Sequence, residues 1–210
     1  MGNVYLAGNF SGTVVLGGTT LTSSGNYDIF VAKFNPTSNQ FVWAQRAGGT
    51  RYEIASALAA SGTSVYVAGT FGNPTASFGP ATLTNAGSTD NSDVFVAKLA
   101  DAGSAGIFVW AQRAGGLGRD FTNVLTVTGN NVFVAGTFGS LTVDFGPATL
   151  TNAGGNSGTY DVYVTKLTDG GSTSSFIWTQ QAGGINNEQA STLAVSGTGV
   201  LGRVHSEPHG

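Results

Sequence analysis

The stretch DVFVAKL at residues 93–99 decides the fold. Read as an extended strand, it sends Val94 and Val96 to one face and Phe95 and Ala97 to the other. Both faces are apolar. A strand in a two-sheet sandwich has one wet face and alternates apolar with polar residues. This strand instead expects cover on both sides, as a sheet has when it is stacked between two neighbours. The same stretch occurs as DIFVAKF at 28–34 and as DVYVTKL at 161–167, so the demand arises three times.

Its surroundings recur with it. NVYLAGNF (3–10) returns as SVYVAGTF (64–71) and NVFVAGTF (131–138), and VWAQRAGG (42–49 and 109–116) returns as IWTQQAGG (177–184). LGGTTLTSSG (16–25) corresponds to FGPATLTNAG at 78–87 and 145–154. Trp43, Trp110 and Trp178 lie 67 and 68 residues apart. The chain thus divides into units at 2–63, 64–130 and 131–199, followed by a divergent tail at 200–210.

Each unit holds four short runs rich in β-branched and aromatic residues. In the second they are Val65–Phe71, Val94–Leu99, Ile107–Arg113 and Phe121–Thr128, separated by Gly, Asn, Ser and Asp. No stretch sustains a 3.6-residue apolar period, so no helix is predicted. Four strands per repeat predict a propeller blade. The expected fold is therefore all-β: a β-propeller of about three four-stranded blades, open, partial or part of a larger ring. The chain starts on the second strand of a blade and ends on the first strand of another. A β-solenoid ranks second, because its repeat is one coil rather than four strands.

Composition removes several function classes. Of 210 residues 33 are Gly, only 9% are charged, and aromatic residues make up 10%. A disordered segment has the opposite balance, and there is no three-residue Gly period for collagen. The net charge is −3 with no basic block, which argues against nucleic acid as a partner. No apolar run approaches the roughly 18 residues of a membrane helix, so membrane insertion is not expected. Without Cys there is no disulfide framework or thiolate metal site. Nothing after Met1 reads as a signal peptide.

The succession VYVAG-x-F, D-x-F-V-A-K and W-x-x-x-x-G-G resembles the bacterial extracellular β-propeller repeats known as SBBP repeats, over residues 3–199. That resemblance implies a multi-bladed propeller within an exported or cell-surface bacterial protein, and it brings no catalytic motif. This chain departs from the pattern in having three blades' worth of sequence and no visible sorting region.

The tail VLGRVHSEPHG (200–210) stands where a strand like NVYVAGTF is due, and it contains both histidines, His205 and His209. Written as CTG GGC CGG, Leu201-Gly202-Arg203 encodes Trp-Ala-Gly one base on. Glu207 to Gly210, written as GAA CCC CAC GG, encodes Asn-Pro-Thr in the same frame. Their separation matches that of Ala68-Gly69 and Asn73-Pro74-Thr75, so the tail reads as a frame-shifted fourth repeat of a truncated fragment. Three blades do not readily close a ring. Exposed blade faces and strand edges would let two chains associate into a closed one.

Eleven of the 19 charged residues recur between units, as do the tryptophans. Asp28, Asp93 and Asp161 are equivalent, as are Lys33, Lys98 and Lys166, and Glu53, Asp120 and Glu188; Arg46 and Arg113 correspond to Gln181. A residue needed once for chemistry has no reason to recur, whereas one bracing a blade does. The expected roles are turn hydrogen bonds from Asp and pairing between strands or blades; the alternative is one weak sugar site per blade. Trp43, Trp110 and Trp178 are expected in the core rather than stacked on sugars. The pairs Gly48-Gly49, Gly115-Gly116 and Gly183-Gly184 read as tight turns between blades. Arg51, Asp90, Asp101, Arg119, Asp144 and Asp169 do not recur in all units and read as solvated loop residues.

His205 and His209 have no nucleophile constellation around them, and no Asp-rich calcium loop occurs. The expectation is a non-enzymatic scaffold or binding module without metal or cofactor, taking a protein or glycan ligand or associating with itself. No ligand-binding residue is assigned; loops 72–92 and 139–160 are where a binding face is expected.

Overall fold

The computed structural model describes residues 2–72, 74–87, 91–155, 158–196 and 199–206. The chain opens with β1 (Val4–Phe10), the hairpin β2 (Thr13–Leu16) and β3 (Thr19–Thr22), then β4 (Asp28–Asn35) and β5 (Gln40–Gly49). Next come β6 (Glu53–Ser61), β7 (Ser64–Phe71), the hairpin β8 (Thr75–Phe78) and β9 (Ala81–Thr84), β10 (Asp93–Asp101) and β11 (Gly106–Gly116). The pattern returns in β12 (Asp120–Thr128), β13 (Asn131–Phe138), β14 (Thr142–Phe145), β15 (Ala148–Thr151), β16 (Asp161–Asp169) and β17 (Ser174–Ala182). It closes with β18 (Glu188–Ser196) and β19 (Gly199–Ser206). There is no helix among the described residues.

All strand pairings between these elements are antiparallel. Sheet 1 runs β1-β4-β5 and continues into the hairpin β8-β9, and sheet 2 runs β6-β7-β10-β11 and continues into β14-β15. Sheet 3 runs β12-β13-β16-β17, sheet 4 is β18-β19, and β2-β3 stands as a two-stranded sheet of its own. Each sheet is displaced one strand from the sequence units. The last run of one unit, β6 or β12, is the first strand of the next sheet.

Stacking explains the apolar strand read at the outset. Val94 and Val96 join Tyr66, Ala68 and Trp110 in a cluster completed by Val132, Val134, Tyr163 and Leu167 of sheet 3. Phe95 and Ala97, on the opposite face, join Ile29, Val31, Trp43 and Ala47 of sheet 1. Sheet 2 is thus buried on both sides, and Val94, Phe95, Val96 and Ala97 are each no more than 1% exposed. Burial of this kind is the main source of stability, since it removes apolar surface from water on two faces at once.

The connections 72–92 and 139–160 contain hairpins that clip one sheet to the one before. Ser77 and Ala76 of β8 pair with Gly48 and Gly49 of β5, and Asp144 and Val143 of β14 pair with Gly115 and Gly116 of β11. Phe78 wedges between Phe95 and Phe108, with ring centroids at 4.7 and 5.9 Å; Phe145 repeats this with Tyr163 and Phe176 at 4.7 and 5.8 Å. The Gly pairs expected as turns are therefore corrected: the first two end strands. Their lack of side chains has a local reason. A Cβ on Gly115 would run into the Asp93 carboxylate, and one on Gly116 into the Thr142 carbonyl oxygen. Gly183-Gly184 follows β17, and no hairpin pairs with it among the described residues.

The divergent tail still makes a strand. β19 pairs with β18 from Glu188↔Ser206 onward, in the register that β7 keeps with β6 from Glu53↔Phe71. Val204 stands where Gly69 and Gly136 stand in the earlier sheets. Those two glycines have no room for a Cβ, which would strike the Ile54 and Phe121 carbonyl oxygens, whereas Val204 is 44% exposed. His205 is exposed on β19. His209 and Asp90 lie outside the described residues.

Candidate functional site

Strand register places three hydrogen-bond donors in a row across each of the first two sheets. In sheet 1 Lys33 lies opposite Tyr5 on one side and Trp43 on the other. In sheet 2 Lys98 lies likewise between Tyr66 and Trp110. Residues directly opposite one another share a sheet face, so each row points at the following sheet. The register shifts just past the Lys, between Lys33 and Phe34 and between Lys98 and Leu99. This bulge leaves Val42 and Val109 unpaired and keeps both the Trp and the nearby Phe in register.

Each row converges on one carboxylate from the next sheet. Asp101 Oδ2 accepts from Tyr5 Oη at 2.6 Å and pairs with Lys33 Nζ at 2.7 Å, while Oδ1 accepts from Trp43 Nε1 at 3.0 Å. Asp169 does the same for Tyr66 (2.6 Å), Lys98 (2.6 Å) and Trp110 (3.1 Å). The backbone amides of Gly103 and Gly171, both at 2.9 Å, add a fourth donor to each carboxylate. Burial alone would raise these carboxyls, but the donors outweigh it and hold Asp101 down at about 2 and Asp169 below its ordinary value. Burial, then the adjoining carboxylate, pushes the Tyr5 and Tyr66 hydroxyls up to about 12.

Asp101 and Asp169 are therefore not the solvated loop residues expected from sequence. Their side chains are 7% and 5% exposed. Of the others in that group, Asp144 and Arg119 are exposed and Arg51 is half-buried. The signal was present but offset: Tyr occupies its position in the first two units, and the acid occupies its own in the second and third. A pair shifted by one unit marks a junction.

A second constellation lies at the other end of the sheets. Asp28, Asp93 and Asp161 are fully buried and accept from the backbone amides of Ser24, Ala86 and Ala153 at 3.1, 2.8 and 2.7 Å. Arg46 pairs with Asp28, and Arg113 with Asp93 at 2.6 Å. Gln181, in the third copy, donates instead to the Thr151 carbonyl; among the described residues Asp161 Oδ1, like Asp93 Oδ1, has no partner. Glu53, Asp120 and Glu188 accept from the amides of Gly49, Gly116 and Gly184 at 2.8, 2.9 and 2.9 Å. Asp120 is pushed up to about 6, first by burial and in part by the nearby Asp93 charge. Asp93 and Asp161 are raised chiefly by burial.

Between sheets 3 and 4 is a cleft of about 320 Å³ lined by Phe121, Thr137, Tyr160, Asn187, Glu188 and Gln189. The Phe121 and Tyr160 rings stand 5.9 Å apart, and Asn187 Oδ1 accepts from the Tyr160 amide. Tyr160 is the point at which the connection 139–160 reaches this cleft. Among the described residues, no group of three or more His, Asp or Glu side chains is placed to hold a metal ion.

No family model matches the chain. It is 28% identical over 205 residues to the regulatory protein FlaEY of Caulobacter vibrioides. The alignment covers 95% of this chain and 20% of that protein, so the chain spans about one fifth of its relative's length.

Proposed function

We propose that the chain is a non-enzymatic β-propeller segment of the SBBP-repeat type, acting as a scaffold or binding module of an exported or cell-surface bacterial protein. One observation carries the reading: its repeated Lys, Trp, Tyr and Asp side chains are consumed in holding sheet to sheet, twice over and with the same geometry. The arrangement of the sheets supports a propeller. Neighbours pack most densely where the first strands β6, β12 and β18 meet, while β5, β11 and β17 are held apart by the hairpin wedges. Sheets that converge at one edge and spread at the other fit a radial arrangement. The relative, a bacterial protein five times longer than the matched segment, supports a module within a larger assembly.

A glycan-binding version has one specific observation in its favour. The cleft beside Tyr160 combines two aromatic rings with amide and carboxylate side chains, the groups that stack on and hydrogen-bond to sugars. Titration with simple mono- and disaccharides, followed by amide NMR, separates the readings. The scaffold reading expects no saturable shift at Phe121, Tyr160 and Asn187. Saturable shifts confined to those residues would establish the glycan reading instead.

A further inference from the structure

Sheet 3 repeats two of the three donors, Lys166 and Trp178, with no carboxylate upon them among the described residues. Lys166 lies opposite Phe133 and Trp178, as Lys33 and Lys98 lie between their partners. Its ammonium sits 5.9 Å from the centre of the Phe133 ring, a cation–π contact, and it pairs with no acid among the described residues. Trp178 Nε1 likewise has no acceptor there. Lys166 and Trp178 are half-buried, whereas Trp43 and Trp110 are 3% and 5% exposed. Alongside, β19 has an unpaired outer edge among the described residues, the edge that β7 gives to β10 and β13 gives to β16.

We propose that this face and edge form a docking surface for a partner strand pair of the same repeat type, whose first strand ends in an aspartate. That strand adds to β19 as β10 adds to β7, and its carboxylate lands on Lys166 and Trp178 as Asp101 lands on Lys33 and Trp43. The surface continues two interfaces of known geometry, and its Lys166 ammonium, which pairs with no acid among the described residues, complements the missing anion. A second copy of this chain does not supply the acid. Eight residues beyond Asp93 and Asp161 stand Asp101 and Asp169, but eight beyond Asp28 stands Pro36. The copy's own Asp101 and Asp169 are already buried in sockets.

The test uses the three Trp indole NH signals of the full ¹⁵N-labelled chain, titrated with three synthetic peptides. The first spans Asp93–Gly116, the second is the same peptide with Asp101→Asn, and the third is Asp28–Gly49, which carries Pro36. The first should shift Trp178 downfield and saturably, leaving Trp43 and Trp110 in place. Asp101→Asn in the peptide, or Lys166→Met in the chain, should weaken binding by about tenfold, the scale of a hydrogen bond to a charged partner. The third peptide should leave Trp178 where it is. Unchanged Trp43 and Trp110 signals in Lys166→Met report that the variant is folded. Equal binding of all three peptides, indifference to Lys166→Met, or an unmoved Trp178 would overturn the proposal. A Trp178 signal that depends on the concentration of the chain alone would overturn it in favour of a second copy.

Discussion

Replacing Asp169 by Ala should cost about 3–5 kcal/mol, the loss seen when one member of a buried ion pair is removed. The structure says why the figure belongs in that range. The change removes the acceptor for Lys98, Tyr66 and Trp110 together and leaves the Lys98 ammonium, in a side chain 9% exposed, with the Gly171 carbonyl at 3.1 Å as a remaining acceptor. For a chain of this size the loss corresponds to roughly 10 °C in Tm. The assay is urea and thermal unfolding followed by Trp fluorescence, with Asp144→Ala, an exposed acid, as a control expected within about 0.5 kcal/mol of the parent. Lys98→Met combined with Asp169→Ala should cost less than the sum of the single changes, by about 2 kcal/mol, because no charge is then stranded. An Asp169→Ala chain as stable as Asp144→Ala, or strictly additive changes, would refute the reasoning.

Gly69→Ala should destabilise severely, by about 3 kcal/mol or more, because its Cβ meets the Ile54 backbone oxygen and the nearby Phe95 ring; Gly18→Ala, with open space around it, should be close to neutral by the same unfolding assay. Stability should fall as pH rises from about 4 to about 6, because folded Asp120 holds its proton up to about 6 and the unfolded carboxyl releases it near 4. It should also fall below pH 4, where the depressed Asp101 and Asp169 carboxylates lose their charge and their sockets; urea midpoints across pH 2–8 should therefore peak near pH 4, and Asp120→Asn should flatten the upper limb. A curve that climbs steadily from pH 4 to 7 would contradict that assignment.

The stacked sheets were legible because the cause is local: Val94, Phe95, Val96 and Ala97 alternate faces with no polar member, and that fact needs no three-dimensional information. The hairpins β8–β9 and β14–β15 were read only as parts of loops 72–92 and 139–160, since four-residue strands such as Thr75–Phe78 carry little period. The socket acids were hidden for another reason. Asp101 and Asp169 serve the sheet before their own, so aligning units residue by residue set them against Pro36 and made them look incidental. Gly48-Gly49 and Gly115-Gly116 misled because glycine signals both a turn and a close approach of backbone. Here Gly48 and Gly115 leave room for the buried carboxylates of Asp28 and Asp93, and Gly116 for the backbone of the clipping strand.

The central claim is that the donors of the first and second units are satisfied by the next unit's acid. Indole NMR of Asp101→Asn and Asp169→Asn tests it most directly. Asp101→Asn should move the Trp43 indole signal, one unit back, and leave Trp110 of its own unit unmoved; Asp169→Asn should move Trp110 and leave Trp178 unmoved. Signals that move within the mutated unit, or not at all, would contradict the stacking described here.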